Sequence, residues 1–372
     1  MLESKERRIH QRQGQAWQGL SPCCHMRCAV LLLGVLVLLS GILLHGIGAA
    51  QPTRFEIGLI GDLPYSGEDE AKFPNLMQAM NEANLAFIVH VGDIETDPRL
   101  YKRDQTGAMP CTDDTFAQRK ALFHTSKHPF ILTPGDNDWT DCHFAEPSLD
   151  PLERLTKLRE VFFQGDRSLG QHSIPLTRQS TDPQYAKFRE NVRWTSGAVL
   201  FVTLHMVGSN NNLGRTPEGD AEYAERHTAN VVWLQQAFAE AKRQAQKGLM
   251  IFTQANPYFE DHWSPGRQQG MHITPENPEF SGYSDFLSAL EAEVLAFDKP
   301  VVFVHGDTHY FRVDQPLFST ARKHLIEHFT RVETFGSPNV HWVRVIVDPS
   351  DPQVFTFKPE IVQKNLVKHG SQ

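Results

Sequence analysis

The chain has 372 residues, 40% of them hydrophobic, with 44 acidic against 36 basic side chains and a formal net charge of −8. That length suits one large domain or two small ones with a sizeable core. The acidic balance argues against a nucleic-acid partner, whose phosphates favour a basic face.

The N-terminus differs from the rest. Lys5, Arg7, Arg8, Arg12 and Arg27 form a basic leader, and the stretch from Cys28 to Thr53 carries no Asp, Glu, Lys or Arg. Its heart, AVLLLGVLVLLSGILL, is strongly apolar and is followed by Gly48-Ala49-Ala50, the small residues a signal peptidase prefers. A membrane span needs about 20 apolar residues, so two readings stay open: a cleaved signal peptide, or an uncleaved anchor at residues 28–50. Both place residues 51–372 outside the cytoplasm, in a periplasmic or extracellular space, by the positive-inside rule. The expected division is therefore 1–50 as leader or anchor and 51–372 as the functional domain.

From Arg54 onward strands and helices alternate. Apolar runs ending near residues 61, 92 and 135 read as buried strands, and Lys72–Ala83, Thr115–His124 and Pro151–Phe163 as helices. Residues 164–191 are polar and irregular. Ala198–Val207 is a strand running into Gly208-Ser209-Asn210-Asn211-Asn212; Asp220–Lys247 is a long helix and Gly248–Thr253 a buried strand. A long loop rich in Pro, Gly, His and aromatics, Asn256–Tyr283, precedes a helix to Phe297 and a strand at Pro300–His305. Three tail strands follow, at Phe329–Thr334, His341–Val347 and Gln353–Phe357. Strands alternating with helices, then a strand-rich tail, predict an α/β chain built as a two-sheet β-sandwich flanked by helices.

Four of the apolar runs end in a Gly-Asp pair: Gly61-Asp62, Gly92-Asp93, Gly135-Asp136 and Gly306-Asp307, the last followed by His309. A glycine at a strand end permits a sharp turn, which leaves the Asp in the loop at the strand's carboxyl end. If the strands share one edge, four carboxylates and an imidazole converge there, and crowded carboxylates call for a cation. Gly165-Asp166 and Gly219-Asp220 follow no such run and read as plain turns. His90 and His305 precede their pairs within strands and read as core histidines. His205 is open between core and site, and Gly208–Asn212 between a plain turn and a pocket wall. Cys111 and Cys142 are the two cysteines outside the leader region, and in an exported domain such a pair often bonds, here stapling the loops after Asp93 and Asp136.

This order of motifs resembles the calcineurin-like metallophosphoesterases, over most of Phe55–Lys358. The resemblance implies a four-layer αββα fold and two divalent cations that supply a hydroxide to attack phosphorus. Asp62 matches the family's first-motif ligand and Asp93 its bridging carboxylate. Asp136 stands where the family has an Asn ligand, and Asp307 and His309 at the two His of the last motif. Asn137 occupies the place of the catalytic His, and Asp138 that of the acid which orients it. Pro64 replaces a ligand His outright, and Gln254-Ala255-Asn256-Pro257 replaces the lone-His motif, so the side-chain oxygen of Gln254 or Asn256 is the candidate substitute ligand. Tyr65 follows the first motif rather than the second, and does not reproduce the purple acid phosphatase tyrosine. The resulting oxygen-rich set favours Mn, Mg, Fe or Ca over Zn.

Four carboxylates neutralise two divalent cations, so substrate affinity calls for nearby donors, with Asn211 and Arg215 as candidates. Because Asn137 cannot protonate a leaving group, His205, or His262 or His272 in the aromatic loop, is the candidate acid. The expected function is thus a metal-dependent phosphoesterase outside the cytoplasm, acting on a phosphate ester. The alternatives are a degenerate domain of this fold that binds a ligand or partner without hydrolysis, and a purely structural metal.

Overall fold

The computed structural model describes residues 54–259 and 281–366, all within one compact unit, Pro52–Gln372. The apolar segment at 28–50, with the readings attached to it, and His262 and His272 lie outside the described residues. No helix among the described residues is long and apolar enough to cross a membrane.

Two large sheets form the centre. The first has five strands: β1 (Phe55–Ile60), β2 (Ile88–His90), β3 (Phe130–Leu132), β13 (Trp342–Val347) and β14 (Phe355–Glu360), in the order β14-β13-β1-β2-β3. The second has seven: β4 (Thr177–Arg178), β5 (Val192–Ser196), β6 (Val199–Thr203), β7 (Gly248–Phe252), β8 (Val301–His305), β9 (Arg312–Asp314) and β12 (Phe329–Glu333), in the order β4-β5-β6-β7-β8-β12-β9. A small ribbon, β10 (Phe318–Ser319) with β11 (His324–Leu325), stands apart.

The layers follow from the side-chain alternation of strands. In β6, Leu200 and Val202 face the helices, while Val199 and Phe201 face the opposite sheet; β7 divides Leu249 and Ile251 from Met250 and Phe252 in the same way. Buried on both faces, these strands read as unbroken apolar runs. The outer layer on the first sheet is α1 (Gly67–Glu82), α3 (Asp113–Phe123) and α4 (Pro151–Phe162), which bury Phe73, Leu76, Phe116, Phe123, Leu158 and Phe162 against Ile60 and Ile88. On the second sheet it is α5 (Pro217–Arg243) and α6 (Ser284–Phe297), which bury Trp233, Phe238, Phe286 and Val294. The architecture is the expected αββα sandwich.

Three expectations shift. Helix α1 begins at Gly67, five residues before the expected start, because Ser66 and Asp69 form a reciprocal capping box and Pro74 is accommodated inside. A short helix, α2 (Pro98–Asp104), stands where none was expected; Asp97 caps it and Pro98 opens it. Strand β5 was not expected either, and it is turned back into β6 by Gly197 at φ +58°.

Strands β1, β2 and β3 are parallel, as are β6, β7, β8 and β12. Their carboxyl ends therefore leave each sheet on one edge, where ligands bind in α/β proteins.

Candidate functional site

The four strand-end aspartates do meet at that edge. Asp62, Asp93 and Asp307 sit in left-handed backbone, at φ 52°, 53° and 78°, as does His309 at φ 61°. Short polar residues tolerate this region, and such strain clusters at functional sites. The turn thus falls on the aspartates more than on their glycines, of which only Gly92 has positive φ. The other glycines are needed for space. A Cβ on Gly306 would stand 2.0 Å from Asp62 Oδ2, and one on Gly135 2.0 Å from Asp93 Oδ1.

A cavity of about 260 Å³ opens here, lined among others by Tyr65, Asp93, Asp136, Asn137, Asp307 and His309. Asp62 Oδ1 accepts from the Asp307 N–H at 2.9 Å and stands 3.6 Å from His309 Nε2, while its buried Oδ2 has no hydrogen-bond partner. His309 Nδ1 faces the Ser337 carbonyl at 2.8 Å, and Ser337 Oγ donates to Asp69 Oδ2 at 2.6 Å. This fixes the proton on Nδ1 and leaves Nε2 as a ligand nitrogen aimed at Asp62. Asp93 is held on both oxygens: Oδ1 accepts from the Asn137 N–H at 3.0 Å, and Oδ2 from the Tyr65 hydroxyl at 2.9 Å and Gln254 Nε2 at 3.1 Å. Asp136 Oδ2 accepts from Ser209 Oγ at 2.8 Å, and Asp307 Oδ2 from the Asn256 N–H at 3.0 Å.

Electrostatics give the site its character. Burial, with the neighbouring carboxylates, pushes Asp62, Asp93 and Asp136 well above the usual carboxylate range, and burial pushes Asp307 up to about 6. Burial lowers His309, so its imidazole is neutral and ligand-competent. Buried carboxylates that repel one another, an orphaned Asp62 Oδ2 and the glycine cradles beneath them fit hard divalent cations. The one group of three potential ligands among the described residues whose ligand atoms all lie within 4.8 Å of one another is Glu95 with Cys111 and Cys142, and a Cys111–Cys142 disulfide takes both of its sulfurs.

Other expected residues are placed differently. Asp138 accepts from the N–H groups of Gly135, Ile94 and Asp93 at 2.7, 2.8 and 3.2 Å. It ties the second and third motif loops together and does not touch the Asn137 side chain, whose Nδ2 donates to Tyr65 Oη at 3.0 Å and the Glu95 carbonyl at 3.2 Å. Gln254 turns its nitrogen, not its oxygen, to Asp93, because Oε1 accepts from the Gly208 N–H at 2.6 Å. His205 does not line the cavity. It is fully buried, with Nδ1 2.7 Å from Glu190 Oε1, and burial lowers it to about 4. Asn211 is also fully buried, with Oδ1 accepting from Arg226. Arg215 donates to the Thr140 carbonyl at 2.8 Å and Asp141 at 2.6 Å, and lines a neighbouring cavity instead.

The reason for the Asn211 placement is local. Ser209, Asn210, Asn211 and Asn212 all have φ between 52° and 67°, a left-handed turn that aims Ser209 and Asn210 into the cavity and Asn211 away from it. Sequence reasoning missed Arg99 and Asp141 as lining residues and set Tyr65 aside, whereas Ser209 and Asn210 make the open Gly208–Asn212 segment a pocket wall. The Asp97-Pro98 helix-start signature was the available signal for Arg99. Tyr65 reached Asp93 from a different motif, which sequence order cannot show.

No family model and no curated protein matches the chain. Among solved structures, it is similar to PhoD at a TM-score of 0.51 and 14% identity, over 81% of this chain and 65% of that one. It is also similar to a 5'-nucleotidase precursor from Thermus thermophilus, at 0.39 and 12% over 83% and 54%. A 5'-nucleotidase from Candida albicans gives 0.40 and 10% over 83% and 52%. The chain thus spans less than two thirds of the length of each. The strand order and the likeness to PhoD show a two-sheet αββα fold shared with that protein.

Proposed function

We propose that the chain is a metal-dependent phosphoesterase of the calcineurin-like kind, acting outside the cytoplasm on a phosphate ester. The observation that carries this reading is the convergence of Asp62, Asp93, Asp136 and Asp307 with His309 at one edge, with no lysine or arginine among the described residues hydrogen-bonded to any of the four carboxylates. The disulfide supports export, since such bonds persist in oxidising compartments.

Asp62 and His309 would hold one cation and Asp136 and Asp307 the other, with Asp93 serving both. When bound, such ions supply hydroxide at neutral pH and offset charge on the phosphoryl oxygens. The chain's own residues do the positioning. Tyr65, Gln254 and the Asn137 N–H lock Asp93. Ser209 orients Asp136, and Ser337 sets the His309 tautomer. Asn137 carries no transferable proton at the place of the family's catalytic His. Among the described residues, His309 is the one histidine lining the cavity. Without a proton from His262 or His272, which lie outside the described residues, hydrolysis depends on a leaving group that departs unprotonated.

That arrangement also favours the second reading, a domain that binds an anion without hydrolysing it, because a general acid typically contributes ~10²–10⁴-fold. Turnover of aryl phosphate monoesters and diesters of graded leaving-group acidity, in Mn²⁺ and in chelator, separates the two. The enzyme reading predicts Mn²⁺-dependent turnover that rises steeply with leaving-group acidity. Metal binding without turnover of any ester supports the binding domain.

A further inference from the structure

We infer that Arg99 is a specificity residue that grips a second anionic group of the substrate, beyond the scissile phosphoryl; this rests on the metal-dependent reading above. Arg99 is the one lysine or arginine among the described residues lining the cavity. The floor is deep: Asp93 is 3% and Asp136 7% exposed. The Arg99 side chain, at 44% exposed, stands at the mouth, beside Leu100 at 39%.

The guanidinium is fixed on one edge only. Nε bonds Asp97 Oδ1 and Oδ2 at 3.0 and 2.9 Å, and Nη2 bonds Asp97 Oδ2 at 2.6 Å and Asp141 Oδ2 at 3.1 Å. Its Cζ lies over the Phe144 ring, 4.1 Å from the centroid. Nη1 has no hydrogen-bond partner among the described residues. Two carboxylates and a ring thus hold a planar donor still, which limits the ordering cost when an anion meets the remaining edge.

Asp141 links this device to the metal centre. Ser209 Oγ stands 2.8 Å from Asp136 Oδ2 and 3.1 Å from Asp141 Oδ1, so its one proton is shared between the two carboxylates. Asp141 is also satisfied by Arg215, so Arg99 is not needed to neutralise it. Asp97 offsets much of the Arg99 charge at range, so the contribution comes from direct contact with a substrate oxygen. The substrate class this fits is a phosphoester with a carboxylate or second phosphoryl in its alcohol part.

The test is calorimetric binding to Mn²⁺-loaded protein of methylphosphonate and of ω-carboxyalkyl phosphonates with chains of graded length, for wild type, R99Q and R99K. In wild type, at least one carboxyalkyl phosphonate should bind about tenfold or more tighter than methylphosphonate, as one charge-assisted contact allows. R99Q should lose affinity for that ligand about tenfold more than for methylphosphonate, and R99K should fall between. A wild-type protein that does not prefer any carboxyalkyl phosphonate overturns the inference. So does an R99Q protein that keeps the preference, an R99K protein that keeps it undiminished, or an R99Q protein that loses both ligands equally. None of these readouts needs turnover, so a protein that binds but never hydrolyses refutes the enzyme reading and leaves this comparison decisive.

Discussion

The Tyr65 hydroxyl donates to Asp93 Oδ2 at 2.9 Å while its ring packs edge-on against His309, with centroids 5.1 Å apart. One side chain from the first motif therefore braces the central carboxylate and one proposed ligand of the opposite sheet. Tyr65→Phe keeps the ring and removes the bond. A hydrogen bond to a charged group is worth about 1.5–3 kcal/mol, so Mn²⁺ affinity should fall roughly tenfold to a hundredfold with little change in fold. Metal titration of the purified variant checks this; unchanged affinity would show that Asp93 is adequately held by Gln254 and Asn137.

His205 sits in a closed network with Glu190 and Arg159 and outside the cavity. His205→Gln should lower thermal stability by about 1–3 kcal/mol, the cost of leaving buried polar groups unsatisfied. Below the melting transition its kcat should fall far less than the ~10²–10⁴-fold expected on losing a general acid. A large kcat loss in a folded variant would return His205 to the reaction.

The site carboxylates give a pH signature. Burial raises Asp62, Asp93 and Asp136 well above 3.8, and Asp138 and Asp307 to about 6. A raised folded-state pKa means that the metal-free native state binds more protons than the unfolded chain. The stability this contributes is full below 3.8 and is lost as pH rises through about 6 and beyond. In chelator, melting temperature should therefore fall across that window from these groups. Mn²⁺ competes with the protons, so its stabilising increment should grow with pH over the same range. A Mn²⁺ increment independent of pH would contradict the assignment of Asp62, Asp93, Asp136 and Asp307 as ligands.

The Cys111–Cys142 bridge spans 31 residues, and both sulfurs lie against the Asn137 carbonyl, at 3.8 and 3.7 Å. Replacing both cysteines by serine should cost about 2–5 kcal/mol of stability. Because the bridge packs on the loop that holds Asp136 and Asn137, Mn²⁺ affinity should fall with it. Paired melting curves with and without Mn²⁺ separate a general loss of stability from a loss at the site.

Much of the fold was legible because its strands are buried on both faces. Runs such as VVFVH and GLMIF announce themselves, and each ends where the parallel topology delivers its loop to the edge. The strand-end glycines suggest that glycine makes the backbone turn, whereas left-handed Asp62, Asp93 and Asp307 make it and most of the glycines supply room. What stayed hidden depends on side-chain direction in space. Asn211 and Arg215 lie beside the cavity in sequence, but a four-residue left-handed turn and the pull of Asp141 face them elsewhere. Arg99 and Tyr65 arrive from segments whose nearness to Asp141 and Asp93 no spacing rule encodes.

The central claim is that four strand-end aspartates and His309 hold a pair of cations around Asp93. Elemental analysis and Mn²⁺ titration of the folded wild-type protein and Asp93→Asn test it most directly, with aryl phosphate turnover read on the same samples. Two Mn²⁺ per wild-type chain, with both binding and turnover lost in Asp93→Asn at unchanged fold, is the predicted result. A wild-type chain that binds no metal, or an Asp93→Asn chain that binds two as tightly, would contradict it.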